Sequence, residues 1–262
     1  MELKYKSDIL KLNLSDTGRG DAVLLLHGWG TNLGVYKSII DYLTPHRRVI
    51  SYDIPGFGES SEPSFGFSTD DYANLALDVL KALGIKKVTL IGHSHGGRTI
   101  LNLASRENPG IEIDKIILLG SAGIVPVKSL YYKLKVAKYK VGKKILSYAP
   151  IKSIFPDAIE KYKAKHGSSD YKSVSGVMRE SLVKIVNDDY RERIKNIKQP
   201  TLLIWGTNDI DTPISDGEYM EKAIPDAGLV RIDGATHYCF LENPVLVKKV
   251  IYSFLNIKEG EG

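Results

Sequence analysis

Residues 92–97 read Gly-His-Ser-His-Gly-Gly, after the apolar run Val88-Thr89-Leu90-Ile91 and before the helix-like stretch Arg98–Ala104. A G-x-S-x-G sequence set between a strand and a helix makes a sharp turn that pushes the serine hydroxyl out toward a ligand. Glycines at Gly92, Gly96 and Gly97 keep the turn and the helix start free of side-chain clashes. Ser94 therefore reads as a nucleophile. A serine hydroxyl is weak at neutral pH. It needs a base to take its proton, a group to orient that base, and donors for the oxyanion formed on attack.

The C-terminal third offers the first two. Thr201–Trp205 is an apolar strand, and the polar loop Gly206-Thr207-Asn208-Asp209 follows it. Leu229–Ile232 is another strand, followed by Asp233-Gly234-Ala235-Thr236-His237. In an open parallel α/β sheet all strand carboxyl ends lie on one side, where ligands bind. Ser94, Asp209 and His237 can therefore converge, with His237 as the base and Asp209 as its orienting carboxylate. Asp211, two residues on, is the alternative carboxylate. The donors lie elsewhere. Val23–Leu26 leads into His27-Gly28-Trp29-Gly30, so the Trp29 backbone N–H is one donor. The His95 N–H, at a helix start that favours negative charge, is the second.

These segments resemble those of the capped α/β-hydrolases, of the single-domain esterase and carbon–carbon-bond hydrolase kind. The matching pieces are VLLLHGWG at Val23–Gly30, SYDIPGFGESS at Ser51–Ser61, LIGHSHGG at Leu90–Gly97, LLIWGTND at Leu202–Asp209 and GATHYCFLENP at Gly234–Pro244. They stand in the family's order and span nearly the whole chain outside its middle. The order Ser94, Asp209, His237 is that of the family's triad. The family spacing W-G-x-x-D with a later Pro is met by Trp205, Gly206, Asp209 and Pro213, which favours Asp209 over Asp211.

The resemblance implies an α/β-hydrolase fold, mostly parallel sheet with helices on both faces and a helical cap insertion. It implies a serine hydrolase that cleaves carboxylic esters through an acyl-Ser94 intermediate, with no metal or organic cofactor. His27 is expected to hold the oxyanion loop by hydrogen bonds. Asp53 is expected to be structural, with Gly56 and Gly58 as turn glycines. The His93 and His95 side chains are expected to pack or point aside. No further ligand at suitable spacing makes them a metal pair. Two alternatives share the fold. One is hydrolysis of a carbon–carbon bond in a vinylogous diketone acid by the same triad, although that group usually has a longer glycine-rich oxyanion loop. The other is a ligand receptor with very slow turnover, since a fold does not dictate a function. Relatives with an Asp nucleophile, dehalogenases and epoxide hydrolases, are set aside by Ser94.

The chain has 262 residues, 43% of them hydrophobic. That suits one core with an insertion. Residues 1–121 and 199–262 are expected to form the core and 122–198 the cap. Lys4–Leu14 and Ala22–Leu26 read as the opening strands, and Thr69–Leu83 as a helix with Leu75, Val79, Leu80 and Leu83 on one face. Strand–helix alternation stops after Ala122, where helix-like stretches cover 128–148 and 173–186.

Net charge is +5, but residues 122–198 carry 18 Lys/Arg against seven Asp/Glu, so the basic character belongs to the middle segment alone. It reads as a solvated face, or as a surface that draws in anionic substrates or lipid. No recognition motif for nucleic acid accompanies it. The N-terminus lacks an apolar signal core, and no apolar run reaches the roughly 18 residues of a membrane span. A cytoplasmic protein without stable membrane insertion is expected, acting on a small-molecule ester. Cys239 is the single cysteine, which excludes an intramolecular disulfide. Oligomeric state is not legible in the sequence.

Residues 92–99 also fit a phosphate-binding loop, G-x-x-x-x-G-K-T, with Arg98 in place of lysine. The lysine that reaches the phosphates is thus missing. The D-x-x-G imitation Asp53-Ile54-Pro55-Gly56 precedes the loop when it should follow it. Millimolar ATP or GTP is therefore expected to leave the melting temperature unchanged, because a ligand of the native state would raise it by mass action. A clear upward shift in a thermal-denaturation assay would restore the nucleotide reading.

Overall fold

Apolar runs without polar alternation make strands covered on both faces. Every residue of β4 (Ala22–Leu26) and β8 (Thr201–Gly206) is buried. In the computed structural model, which describes residues 1–125, 141, 171, 173, 174 and 176–258, these strands lie inside a seven-stranded sheet. Its other strands are β3 (Leu14–Thr17), β5 (Arg48–Tyr52), β6 (Lys87–His93), β7 (Glu112–Leu119) and β9 (Ala227–Ile232). The order is β3-β5-β4-β6-β7-β8-β9, parallel throughout except for the antiparallel edge strand β3. The chain runs one way from β4 to β5 and the other way from β6 to β7. The crevice at that reversal, outside the carboxyl ends of β4 and β6, is where such sheets bind ligands.

Alternate residues of each strand feed two cores. Leu24, Leu26, Leu90, Leu118, Leu203 and Trp205 face α2 (Thr69–Ala82), α3 (His95–Ala104) and α5 (Ile214–Ala223). Val23, Leu25, Ile91, Ile117, Leu119 and Ile204 face α1 (Lys37–Leu43), α6 (Cys239–Glu242) and α7 (Pro244–Phe254). The helix starts are written locally. Ser68 and Asp71 form a reciprocal capping box on α2. Asn243 caps α7, with Pro244 in its first turn. Cys239 is buried and free.

The expected single strand over Lys4–Leu14 is instead a separate hairpin, β1 (Glu2–Tyr5) with β2 (Asp8–Lys11), followed by β3. Lys6 adopts φ +51° and reverses the chain. Alternating polar and apolar residues suit one strand or two equally, and no Asn-Gly marks this turn. The hairpin docks on α2 through the Tyr5 hydroxyl, which donates to Asp71 at 3.0 Å.

The expected helix 128–148 lies outside the described residues, apart from Val141. Within the expected helix 173–186 stands α4 (Gly176–Ile185). It sits on the loop after β5. The Phe67 N–H donates to Ser181 Oγ at 2.8 Å, Lys184 donates to the Gly66 carbonyl, and Met178 packs where a Cβ on Gly56 would stand. Among the described residues no helix is long and apolar enough to cross a membrane.

The carboxyl end of the sheet is packed backbone to backbone. A Cβ on Gly96 would overlap the Leu26 carbonyl, one on Gly97 the Ser121 side chain, and one on Gly206 the carbonyls of Ala235 and Thr236. Three imidazoles are sealed into the same region. Burial pushes His27 below the ordinary range. Burial pushes His93 and His95 down to about 3, with the neighbouring charges of His237 and Arg98 adding to it.

Two outcomes follow from this packing. Gly96→Ala should destabilise the protein by about 1–3 kcal/mol, the cost of overpacking. Gly228→Ala, in open space on β9, should not; urea unfolding of the two variants checks this. The buried imidazoles set a pH dependence. An unfolded histidine binds a proton below about pH 6.5, whereas folded His93 and His95 do not until pH falls to about 3. Stability is therefore complete above that upper value and falls as pH drops, by about 1.4 kcal/mol per unit for each histidine. Urea unfolding between pH 7 and 5 should show the loss, and His95→Phe should make it shallower. A flat profile would contradict the burial of neutral imidazoles.

Candidate active site

Ser94 links β6 to α3 at φ +51° and ψ −114°, a conformation that costs an L-residue on the order of 1–3 kcal/mol. Neighbouring backbone holds it there. Its N–H donates to the Leu119 carbonyl at 3.2 Å, and its carbonyl accepts from the N–H groups of Arg98 and Ala122. Gly28 comes so close that a Cβ there would stand 3.1 Å from the Ser94 Cβ and 2.9 Å from His93 Nδ1. Ser94 lines a cavity of about 290 Å³, whose wall also includes Trp29, His95, Arg98 and His237.

Asp209 and His237 meet although 28 residues apart. His237 Nδ1 lies 2.8 Å from Asp209 Oδ2. The carboxylate accepts there, so Nδ1 carries the proton and Nε2 keeps its lone pair. The Asp209 side chain is fully covered. Burial alone would raise its carboxyl, but bonds from His237 and from the Thr212 N–H and hydroxyl outweigh it and hold it below the usual carboxylate range. Oδ1 accepts from the N–H groups of Asp211 and Thr212, both at 2.9 Å. Trp205 fixes this loop from below, its indole N–H donating to the Thr212 carbonyl at 2.8 Å. Asp211, the alternative carboxylate, stays exposed at the cavity wall and donates only its backbone N–H to Asp209. Asp209, Asp211 and His237 could each offer an atom to a cation, all within 4.8 Å. A cation there would have to break the Asp209–His237 bond.

The His237 loop is held from its far side. Glu242 accepts from the Thr236 N–H at 2.9 Å and from the Thr236 hydroxyl at 2.5 Å. His93 holds it from within. Its Nε2 lies 3.0 Å from the His237 carbonyl and donates to it, and its ring stands 4.6 Å from the His237 ring. His93 thus does more than the expected packing. His95 does pack, edge-on to Trp29 and Tyr72, and among the described residues neither of its buried ring nitrogens has a partner.

The loop after β4 is braced by His27 as expected. His27 Nε2 accepts from the Ile54 N–H at 2.9 Å, and Nδ1 lies 2.8 Å from the Gly28 carbonyl. Asp53 holds three segments together, accepting from Leu33 N–H, Asn13 Nδ2 and Glu59 N–H. The N–H groups of Trp29 and His95 take no hydrogen bond among the described residues. Thr212, Glu242 and the His93 ring are the site residues that sequence reasoning missed. Only Glu242 left a trace, as the acid of the GATHYCFLENP segment.

A family model described as alpha/beta hydrolase fold matches residues 21–244. A 2-hydroxy-6-oxo-6-phenylhexa-2,4-dienoate hydrolase of Burkholderia cepacia is 26% identical over 94% of this chain and 91% of its own length. Among solved structures, a bromoperoxidase from Bacillus anthracis superposes with a TM-score of 0.76 at 23% identity, covering 98% of this chain and 99% of the other. A malate-bound thermophilic esterase from Thermogutta terrifontis gives 0.74 at 22% identity, covering 98% of each. Likeness of structure at such identities is likeness of fold. With the family model matched over most of its length, and the sheet built in the corresponding way, the chain belongs to the alpha/beta hydrolase fold family.

Proposed function

We propose that the protein is a serine hydrolase that cleaves carboxylic esters. The observation that carries this reading is the 2.8 Å bond from His237 to the buried Asp209, on the wall of the cavity that Ser94, on its strained turn, also lines. In this reading Ser94 Oγ attacks the ester carbonyl, and His237 Nε2 takes its proton. Asp209 stays ionised, orients the ring and stabilises the imidazolium. The oxyanion accepts from the N–H groups of Trp29 and His95. His237 then gives its proton to the departing alcohol, and Ser94 is left acylated. Water loses a proton to His237, attacks the acyl carbon and releases the acid with Ser94 restored. Residues 122–198 serve as a lid in this scheme, a role supported by Leu182, Ile185 and Val186, which line the cavity.

A second reading keeps the triad and changes the bond, to a carbon–carbon bond of a vinylogous diketone acid. It is favoured by the likeness to the Burkholderia cepacia enzyme.

p-Nitrophenyl esters from acetate to decanoate should be hydrolysed, with the preferred chain length sizing the cavity. Ser94→Ala should lower kcat by about 10⁴-fold or more. Asp209→Asn should cost on the order of 10⁴, because the ring then takes the wrong tautomer. Turnover that survives in Ser94→Ala would overturn the mechanism. Idle esters with rapid cleavage of dienoic diketone acids would select the second reading. Tight binding with almost no turnover of either would point to a receptor.

A further inference from the structure

The cavity wall carries a charge that the ester mechanism does not use. Arg98 lies on α3 one turn beyond Ser94, only 7% exposed, and lines the cavity. Removing a cation from water costs several kcal/mol unless it is paired, so a buried guanidinium normally meets a carboxylate. This one does not among the described residues. Its Nη1 donates to the carbonyls of Ile185 and Asp188, at the C-terminal end of α4, where partial negative charge gathers. The nearby carboxylates are engaged elsewhere: Asp188 accepts from the Tyr190 hydroxyl and Asp189 from Arg191. Nε and Nη2 of Arg98 donate no hydrogen bond among the described residues.

The described residues around it on α3 and the loop after β4 add no carboxylate. His95, one turn earlier on the same face of α3, is 3% exposed and packs its neutral ring on Trp29 and Tyr72, with the ring nitrogens covered. The acidic group at this cavity, Asp211, belongs to the His237 side together with Asp209. Among the described residues the field across the cavity therefore runs from a cationic wall on α3 to an anionic wall after β8. A ligand group made only of acceptors fits the first, and a carboxylate is such a group.

We infer that Arg98 forms a carboxylate subsite, and that the preferred substrate is a half-ester of a short dicarboxylic acid. This rests on the ester-hydrolase reading of the same cavity. The chain length follows from the helix. Ser94 and Arg98 are four residues apart, about 6 Å along the axis, which a spacer of about three methylenes between ester carbonyl and carboxylate spans.

The test pairs monoethyl glutarate with ethyl valerate, which differ only in a carboxylate for a methyl. The ratio of their kcat/KM values should favour the acid by at least about tenfold, the scale of a charge-assisted bond. Arg98→Lys, which keeps the charge and loses the planar fork, should lower that ratio about tenfold through KM. A ratio of one or less in the natural protein, or a ratio unmoved in the variant, overturns the subsite. Should Arg98→Lys fail to fold, glutarate itself decides. It should compete with ethyl valerate while glutaramide does not, and equal effects of the two, or none, refute the inference. Should no ester be hydrolysed, the ester reading fails, and the subsite stands or falls on binding. Glutarate, and not glutaramide, should raise the Tm of Ser94→Ala.

Discussion

At Ser94 the chain must turn from a strand into a helix within one residue, while a second loop passes over it at van der Waals distance. The turn exists because nothing larger than hydrogen stands where the backbones cross. Gly28 lies against the Ser94 and His93 side chains, Gly96 against the Leu26 carbonyl, and Gly206 against the loop that carries His237. Three strand ends are thereby drawn to one point. Trp29, Ser94 and His237 can be neighbours only under that condition, since no two of them share a strand or its loop.

Most of this was legible in the sequence because the constraint is local. A hydrogen side chain at 92, 96, 97 or 206 is a letter in the chain, and a strand that ends in a polar loop has a recognisable apolar run. Asp209 was separable from Asp211 by its spacing from Trp205, and the structure gives that spacing a cause. The indole fixes the Thr212 carbonyl, and Thr212 fixes the carboxylate. Other features depend on distant partners. Glu242 bonds Thr236 only because α6 folds back beneath the loop. His93 reaches the His237 carbonyl across 144 residues. The β1–β2 hairpin was lost to a turn whose residues, Lys6 and Ser7, carry no turn signal. Arg98 was visible only as a failed phosphate-loop lysine. Its pairing with backbone carbonyls of α4 needed the fold.

Electrostatically the site is divided by tautomer and by wall. His93, His95 and His27 are held neutral by burial. Asp209, equally covered, is held charged because four donors converge on it. Burial thus has opposite outcomes, decided by whether hydrogen bonds favour the charged form. The imidazoles around the nucleophile do not compete with His237 as charged groups.

The chain contains two tryptophans, and both belong to the site. Trp29 stands in the loop after β4 against Phe57 and His95, and Trp205 lies against the Asp209 loop with its N–H on the Thr212 carbonyl. Ultraviolet emission excited at the red edge of the protein band therefore originates at these two places alone. A ligand or a displaced loop on either wall changes an emitter directly, and unlabelled protein reports its own occupancy.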